Sequence, residues 1–389
     1  AVGRRKGNNR IRFFFGVVVL LLVLSAVFYV GQGWWNNTQP VDKQDQQEQQ
    51  HAQQPPAVPK EWSMVVCGDV MLGRGVATAM SQNGMFYPFE QMAPYLKSAD
   101  LTFGNLESPL SRQGTPIPGK GIWLRGDPKA AAALKEAGFD VLSLANNHIL
   151  DFESPALLDT MEYLREQGID PVGAGKDLEE AVQPVIKEVN GYKIAFIAAT
   201  EMADIFWDYS YPRTFEARED RPGVQKLDPD QLVEAVAALK GNVDLIAVSL
   251  HWGTEYSDYP LDVQRDIAHR LVDAGAKLVL GHHPHCLQGM EVYKDSLIAY
   301  SLGNFVFDKQ RRPKCQETVL MKIIIKDIKI EKAEVIPVMI IDAQPRPAEK
   351  ADGERILQKL KKLCSELETN FTVDDNKGMI TIIEGGSDE

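Results

Sequence analysis

KLVLGHHPHC, residues 277–286, decides the reading of this chain. Residues 277–280 form a short apolar run, the pattern of a buried strand. The run breaks at once into Gly281-His282-His283-Pro284-His285. Two imidazoles two residues apart on a proline-stiffened turn can share or bridge metal ions. Working outward, the same arrangement recurs. Residues 63–67 run into Gly68-Asp69, 101–103 into Gly104-Asn105-Leu106-Glu107, and 141–145 into Asn146-Asn147-His148. Residues 243–250 run into His251-Trp252-Gly253, and 298–302 into Gly303-Asn304. Layered α/β proteins bind ligands at the carboxyl ends of their strands, so neighbouring strands would aim these loops into one crevice.

Five of the 7 histidines lie in these loops, namely His148, His251, His282, His283 and His285. Taken singly, a Gly-Asp pair is an ordinary turn and His251 an ordinary half-buried histidine. Their joint occurrence at six strand ends is what points to a metal centre. A donor set of His, Asp, Glu and Asn suits Zn, Mn or Fe. His51 falls in a polar tract and His269 within an amphipathic helical pattern, so neither belongs to the set.

Helical patterns separate the strands. Residues 129–137 follow Pro128, and 154–167 carry Ser154 as expected N-cap. Residues 228–239 have Asp228 as cap with Pro229 in the first turn, and 261–274 are closed by Gly275. Residues 193–199 read as another strand. Beyond residue 287 strands dominate (297–301, 319–325, 334–341), followed by a helix over 354–367. The alternation gives an α/β fold with a layered core. Residues 61–341 are expected to form one domain and 342–389 a C-terminal appendage.

The N-terminal part differs. Residues 1–12 carry Arg4, Arg5, Lys6, Arg10 and Arg12; 13–30 are continuously apolar; Trp34 and Trp35 follow. At 1.5 Å per residue this run just spans a bilayer, and the charge asymmetry places the N-terminus in the cytoplasm and the main domain outside. A cleaved signal peptide is the competing reading. The length of the run and the lack of a small-x-small site after it favour a single-pass anchor. Residues 31–60, rich in Gln and Pro, read as a flexible tether.

Of the 389 residues 44% are hydrophobic and 25% charged, ordinary for a folded chain. The net charge of −12 and the lack of a basic face argue against nucleic acid. An anionic partner would have to be met locally, by a metal or a few Arg and Lys side chains. The 4 cysteines (Cys67, Cys286, Cys315, Cys364) form no CxxC pair, which argues against a zinc knuckle, and Cys67 reads as a buried thiol.

Five segments carry a resemblance: CGDVMLGR (67–74), GNLESPL (104–110), SLANNHILDF (143–152), SLHWGTEY (249–256) and GHHPHCLQGMEVYKDSLIAYSLGNFVFD (281–308). In this order they closely resemble the CapA/PgsA family of poly-γ-glutamate capsule proteins, a branch of the calcineurin-like metallophosphoesterases. The resemblance implies a four-layer α/β/β/α sandwich with one or two divalent ions of Mn, Fe or Zn. It implies metal ligation by Asp69, Asn105, Glu107, Asn147, His251, His283 and His285, with His148 and Asp69 in catalytic roles. Met71 stands where the family pattern of the superfamily has a ligating histidine, and Asn105 where it has a bridging aspartate. A single ion, or a pair retuned around Glu107, is therefore expected. Arg74, Arg125, Trp252 and Asn304 are candidates for substrate binding, and Tyr256 for a site wall.

The resemblance further implies a membrane-anchored component of poly-γ-glutamate synthesis and export, meeting poly-γ-glutamate or another anionic polymer beside other membrane subunits. A free-standing surface hydrolase of phosphoesters or amides, and a scaffolding ectodomain with a relic site, remain the alternatives.

Overall fold

The computed structural model describes residues 61–382. Residues 1–60, and with them the expected cytoplasmic segment, membrane span and tether, lie outside the described residues. Among the described residues no helix is long and apolar enough to cross a membrane.

The strand Glu61–Val70 is buried along almost its whole length. It pairs in parallel with Leu101–Leu106 and antiparallel with Glu317–Lys326. Its side chains alternate as a two-sided strand requires. Trp62, Met64 and Val66 enter one apolar core, Val65 and Cys67 another. The 10-stranded sheet around it runs Phe371–Asp374, Lys377–Thr381, Lys329–Ile341, Glu317–Lys326, Glu61–Val70, Leu101–Leu106, Val141–Ser143, Asp170–Val172, with Asn304–Val306 and Gln344–Pro347 attached beside this path. A 6-stranded sheet runs Met290–Tyr293, Ser296–Ala299, Leu278–His282, Leu245–His251, Tyr192–Thr200, Val185–Val189.

Three apolar cores order the layers. Helices Ala130–Ala137 and Glu153–Glu166 cover one face of the larger sheet through Leu134, Leu157, Met161 and Leu164. The inner faces of both sheets meet through residues such as Phe103 and Phe196, stacked with centroids 5.4 Å apart. Helices Pro229–Leu239 and Asp262–Ala274 cover the far face of the smaller sheet through Leu232, Val236, Ile267 and Leu271. The order is helix, sheet, sheet, helix.

Local signals behave unevenly. Asp228 caps its helix by accepting from the Asp230 and Gln231 amides. Ser154 does not cap: its helix starts at Glu153, with Phe152 in the cap position and no side-chain cap bond. Gly275, at φ 130°, ends the helix Asp262–Ala274. The residues after 341 complete the larger sheet. Lys377–Thr381 pairs with Lys329–Ile341, and helix Lys350–Ser365 buries Ile356, Leu357, Leu360 and Cys364 in the core between the sheets. The described residues 61–382 accordingly fall within one unit. All four cysteines are free and buried.

Candidate metal centre

The site forms where the central strands of both sheets end. Glu61–Val70, Leu101–Leu106 and Val141–Ser143 run parallel, as do Tyr192–Thr200, Leu245–His251 and Leu278–His282. Their carboxyl ends therefore lie together. The register of the first strand slips between Val66 and Asp69, an irregularity of the kind that re-aims a side chain. Gly68 and Gly281 permit the approach of the 300–303 segment: a Cβ at either would sit 1.9 Å from a backbone oxygen, of Gly303 and Tyr300 respectively.

At the centre lies Asp69, fully buried. Its Oδ1 accepts from Asn105 Nδ2 at 2.9 Å and is 3.1 Å from His282 Nδ1; its Oδ2 accepts from the His283 amide at 3.3 Å and is 3.6 Å from His285 Nδ1. Burial alone would raise the carboxyl pKa, but the His282 and His285 bonds hold it well below the usual range. Glu107 is its opposite. It is fully buried, and neither carboxylate oxygen has a hydrogen-bond partner. Burial, then the charge on Asp69, pushes its pKa well up. Glu107 Oε1 lies 3.8 Å from His251 Nε2 and 3.9 Å from His285 Nε2, too far for hydrogen bonds.

The imidazoles converge on these carboxylates. His251 Nε2 lies 2.9 Å from Asn147 Oδ1, and its ring is 4.8 Å from that of His283. His283 (φ 97°) and His285 (φ 57°) both hold the left-handed backbone, a strain tolerated where the surroundings over-determine it. His283 Nδ1 is buried without a partner. Burial and the neighbouring His285 pull its pKa down to about 3. Burial would lower His285 as well, but Glu107 and Asp69 push it up to about 9. Three donor groups emerge: Glu107, His251, His283; Asp69, Glu107, His285; and Glu255, His283, His285. Within each group the ligand atoms lie within 4.8 Å of one another.

A second cluster adjoins the first. His148 Nδ1 is 2.7 Å from Asp151 Oδ2, which also accepts from the Leu124 amide at 2.6 Å. Lys120 Nζ is 2.5 Å from Asp151 Oδ1 and 2.9 Å from His148 Nδ1. The Lys120 ammonium is almost completely buried and sits 4.9 Å from the Trp207 ring centroid. Burial, against the pull of Asp151, lowers its pKa; burial also lowers that of His148.

The bacterial capsule synthesis protein family PGA_cap matches residues 63–309, more than half of the chain. The chain belongs to this family. The "Capsule biosynthesis protein CapA" of Bacillus anthracis is 35% identical over 312 residues, covering 78% of this chain and 74% of the relative. The "PGA biosynthesis protein CapA" of Bacillus subtilis (strain 168) is 33% identical over 312 residues, covering 80% of each. Among solved structures, the 5'-nucleotidase of Candida albicans aligns over 79% of this chain and 57% of its own, at 11% identity and a TM-score of 0.40, too loose a likeness to bear on function.

In this PGA_cap chain the expected ligands Asp69, Asn105, Glu107, Asn147, His251, His283 and His285 do come together. Met71 and Asn105, the two positions singled out in the sequence, are both engaged elsewhere. Met71 is buried in the apolar core and its sulfur accepts from the Gly73 amide, so it offers the centre nothing. Asn105 uses its amide oxygen to accept from Asn146 Nδ2 at 3.2 Å.

The substrate candidates scatter. Arg74 is partly exposed and paired with Asp308 at 2.7 Å. Arg125 donates to the carbonyls of Gln113 and Gly114 and stacks 3.3 Å from the Phe152 centroid, so its guanidinium braces loops. Trp252 is not a wall of the site. It is fully buried on the far face of the smaller sheet and donates to the Tyr300 carbonyl, because one residue after His251 the strand alternation points the other way. Asn304 is fully buried and positions His285, its Oδ1 lying 2.9 Å from His285 Nδ1.

Sequence reasoning passed over four members. Glu255 and Asp151 lie inside quoted segments and carry the right chemistry. His282 was set aside for the His-x-His pair beside it. Lys120 sits in a Pro-Gly-Lys-Gly loop that carries no signal of its own.

Proposed function

We propose that this domain is a metal-dependent component of capsular poly-γ-glutamate assembly, held outside the membrane by residues 13–30 and acting on the polymer as it emerges beside other membrane subunits. Family membership supports the capsule assignment, and the names of the Bacillus relatives support the polymer. One observation carries the metal: Glu107, a fully buried carboxylate with both oxygens unpartnered, faces imidazole nitrogens held short of bonding distance. An ionised carboxylate is not left so in a protein interior without a cation or a proton.

The residues fit a divalent ion. Asp69, Glu107, His251, His283 and His285 would hold it, with Asn105, Asn147 and Glu255 beside them. A bound Mn, Fe or Zn ion supplies Lewis acidity and hydroxide at neutral pH. The chain's own groups do the rest. Asp151 fixes the His148 ring through Nδ1, which leaves Nε2 to take a proton from the attacking water and return it to the leaving group. Lys120 neutralises Asp151, and Asn304 orients His285.

The test is the metal content of the purified chain beside a His283→Ala/His285→Ala variant, followed by incubation of the loaded protein with poly-γ-glutamate and sizing of the product. About one or two equivalents per chain, lost in the variant, together with polymer shortening, support the reading. A folded wild-type chain that takes up no metal from supplemented medium overturns it in favour of a scaffold.

A further inference from the structure

The strand Asn304–Val306 delivers more than Asn304. It leads through Phe307 and Asp308 into Lys309-Gln310-Arg311-Arg312-Pro313-Lys314, the densest run of cations in the described part of an acidic chain. The geometry ties this loop to the metal centre twice. The Phe307 ring lies edge-on to His285 at 5.2 Å, and Asn304 Nδ2 donates to the Cys315 carbonyl at the loop's end at 3.0 Å. Tyr256 also lies beside His285, ring centroids 6.1 Å apart. Each of these two aromatic rings carries an arginine. The Arg74 guanidinium is 5.6 Å from the Phe307 centroid, and that of Arg312 is 4.5 Å from the Tyr256 centroid. Two guanidinium groups thus sit on the two rings beside one candidate ligand.

The charges in the loop are not equally free. Arg74 is paired with Asp308, and Lys314 is tied to Asp258 at 3.0 Å and to the Tyr256 carbonyl at 2.8 Å. Lys309, Arg311 and Arg312 are exposed, and among the described residues none of them forms an ion pair. Glu255, hydrogen-bonded to Tyr256, belongs to one of the donor groups. Elsewhere a chain of net charge −12 repels a polyanion. A guanidinium stacked on a ring keeps its planar fork of donors pre-oriented, and that fork matches a carboxylate.

We propose that Lys309, Arg311 and Arg312 form a docking strip that grips the carboxylates of a polycarboxylate chain and lays it across the metal centre. The strip rests on the proposed action on poly-γ-glutamate and adds the residues that would hold the polymer.

Fluorescently labelled poly-γ-glutamate, titrated with the full-length chain in detergent over a series of salt concentrations, tests it. Lys309→Ala/Arg311→Ala/Arg312→Ala is compared with a control that removes three exposed lysines from other elements, Lys129→Ala/Lys176→Ala/Lys240→Ala, and metal content is measured for each. The strip predicts at least about tenfold weaker binding at low salt in the triple variant, a shallower salt dependence, unchanged metal content and a neutral control. Equal affinity of wild type and triple variant overturns the strip while leaving the polymer reading intact. Binding of polyaspartate but not poly-γ-glutamate, abolished in the triple variant, supports the strip and overturns the polymer reading. Binding to neither polymer, or loop-dependent binding only to phosphatidylglycerol vesicles, overturns the strip.

Discussion

Replacing Glu107 by Gln should change the stability of this protein in opposite directions with and without metal. In the metal-free chain the Glu107 carboxylate is buried, unpartnered and beside the ionised Asp69. Its folded-state pKa is raised, so its contribution to stability is fully present below the unfolded value of about 4.3 and is lost as pH rises through the folded value. The isosteric amide has no charge to desolvate. At pH 7 in chelator, Glu107→Gln should therefore gain about 1–3 kcal/mol, the usual cost of an unsatisfied buried polar group, and at pH 4 almost nothing. With metal the sign reverses. Loss of a charged ligand by about 100-fold in affinity removes about 2.7 kcal/mol of the stabilisation that saturating metal confers. Thermal melts of wild type and variant, in chelator and in excess Mn or Zn, at pH 4 and pH 7, give all the comparisons. A variant that melts lower than wild type in chelator at pH 7, or that keeps the full metal-induced shift, refutes the argument that Glu107 waits for a cation.

Further expectations follow from single contacts. Asn304→Ala removes the partner of His285 Nδ1 and should weaken metal binding by about 10–100-fold, measured by competition with a chromogenic chelator, while the domain stays folded. Because His285 is raised to about 9, its contribution to metal-free stability is fully present below the unfolded value of about 6.5 and is lost as pH rises through about 9. Melts in chelator should fall across that window, and a His285→Gln variant should flatten the fall. Trp252→Ala should cost about 3–5 kcal/mol by opening a cavity in the outer core and leave metal content per folded chain unchanged, read by denaturant unfolding beside elemental analysis. Lys120→Met leaves Asp151 buried without its cation and should cost about 3–5 kcal/mol at pH 7 by the same unfolding assay, with metal stoichiometry unaffected.

How far the sequence discloses this architecture depends on which physical rule each residue obeys. The donors at strand ends were legible because parallel strands share a direction: once 63–67, 101–103, 141–145, 243–250 and 277–280 are strands of layered sheets, their terminal loops have little choice but to meet. Side-chain direction was less legible. Trp252 follows His251 directly, and the period of two that aims His251 inward sends Trp252 into the helical layer behind. Strand lengths were underestimated where polar residues lie inside the sheet, as with Asp69, Asn105 and His251, each of which belongs to its strand and not to the loop after it. The Lys120–Asp151 pair was illegible because it joins a loop without periodicity to a turn 31 positions away, and no local rule reaches that far. The C-terminal strands escaped for a related reason. Lys377–Thr381 is short and half-exposed, and only its pairing with Lys329–Ile341 makes it a strand.

The same contrast bears on the centre itself. A two-metal site shares the charge of a bridging carboxylate, and Asn105 cannot supply it. Glu107 lies two residues further along the same strand direction, just past Leu106, and so emerges on the same face as Asn105. There it reaches both His251 and His285, the members of two different donor groups, within 3.9 Å. That position sets a fully buried carboxylate beside the imidazoles of both His251 and His285. The unpartnered oxygens of Glu107 are those that would be offered to a cation held at this centre, as proposed.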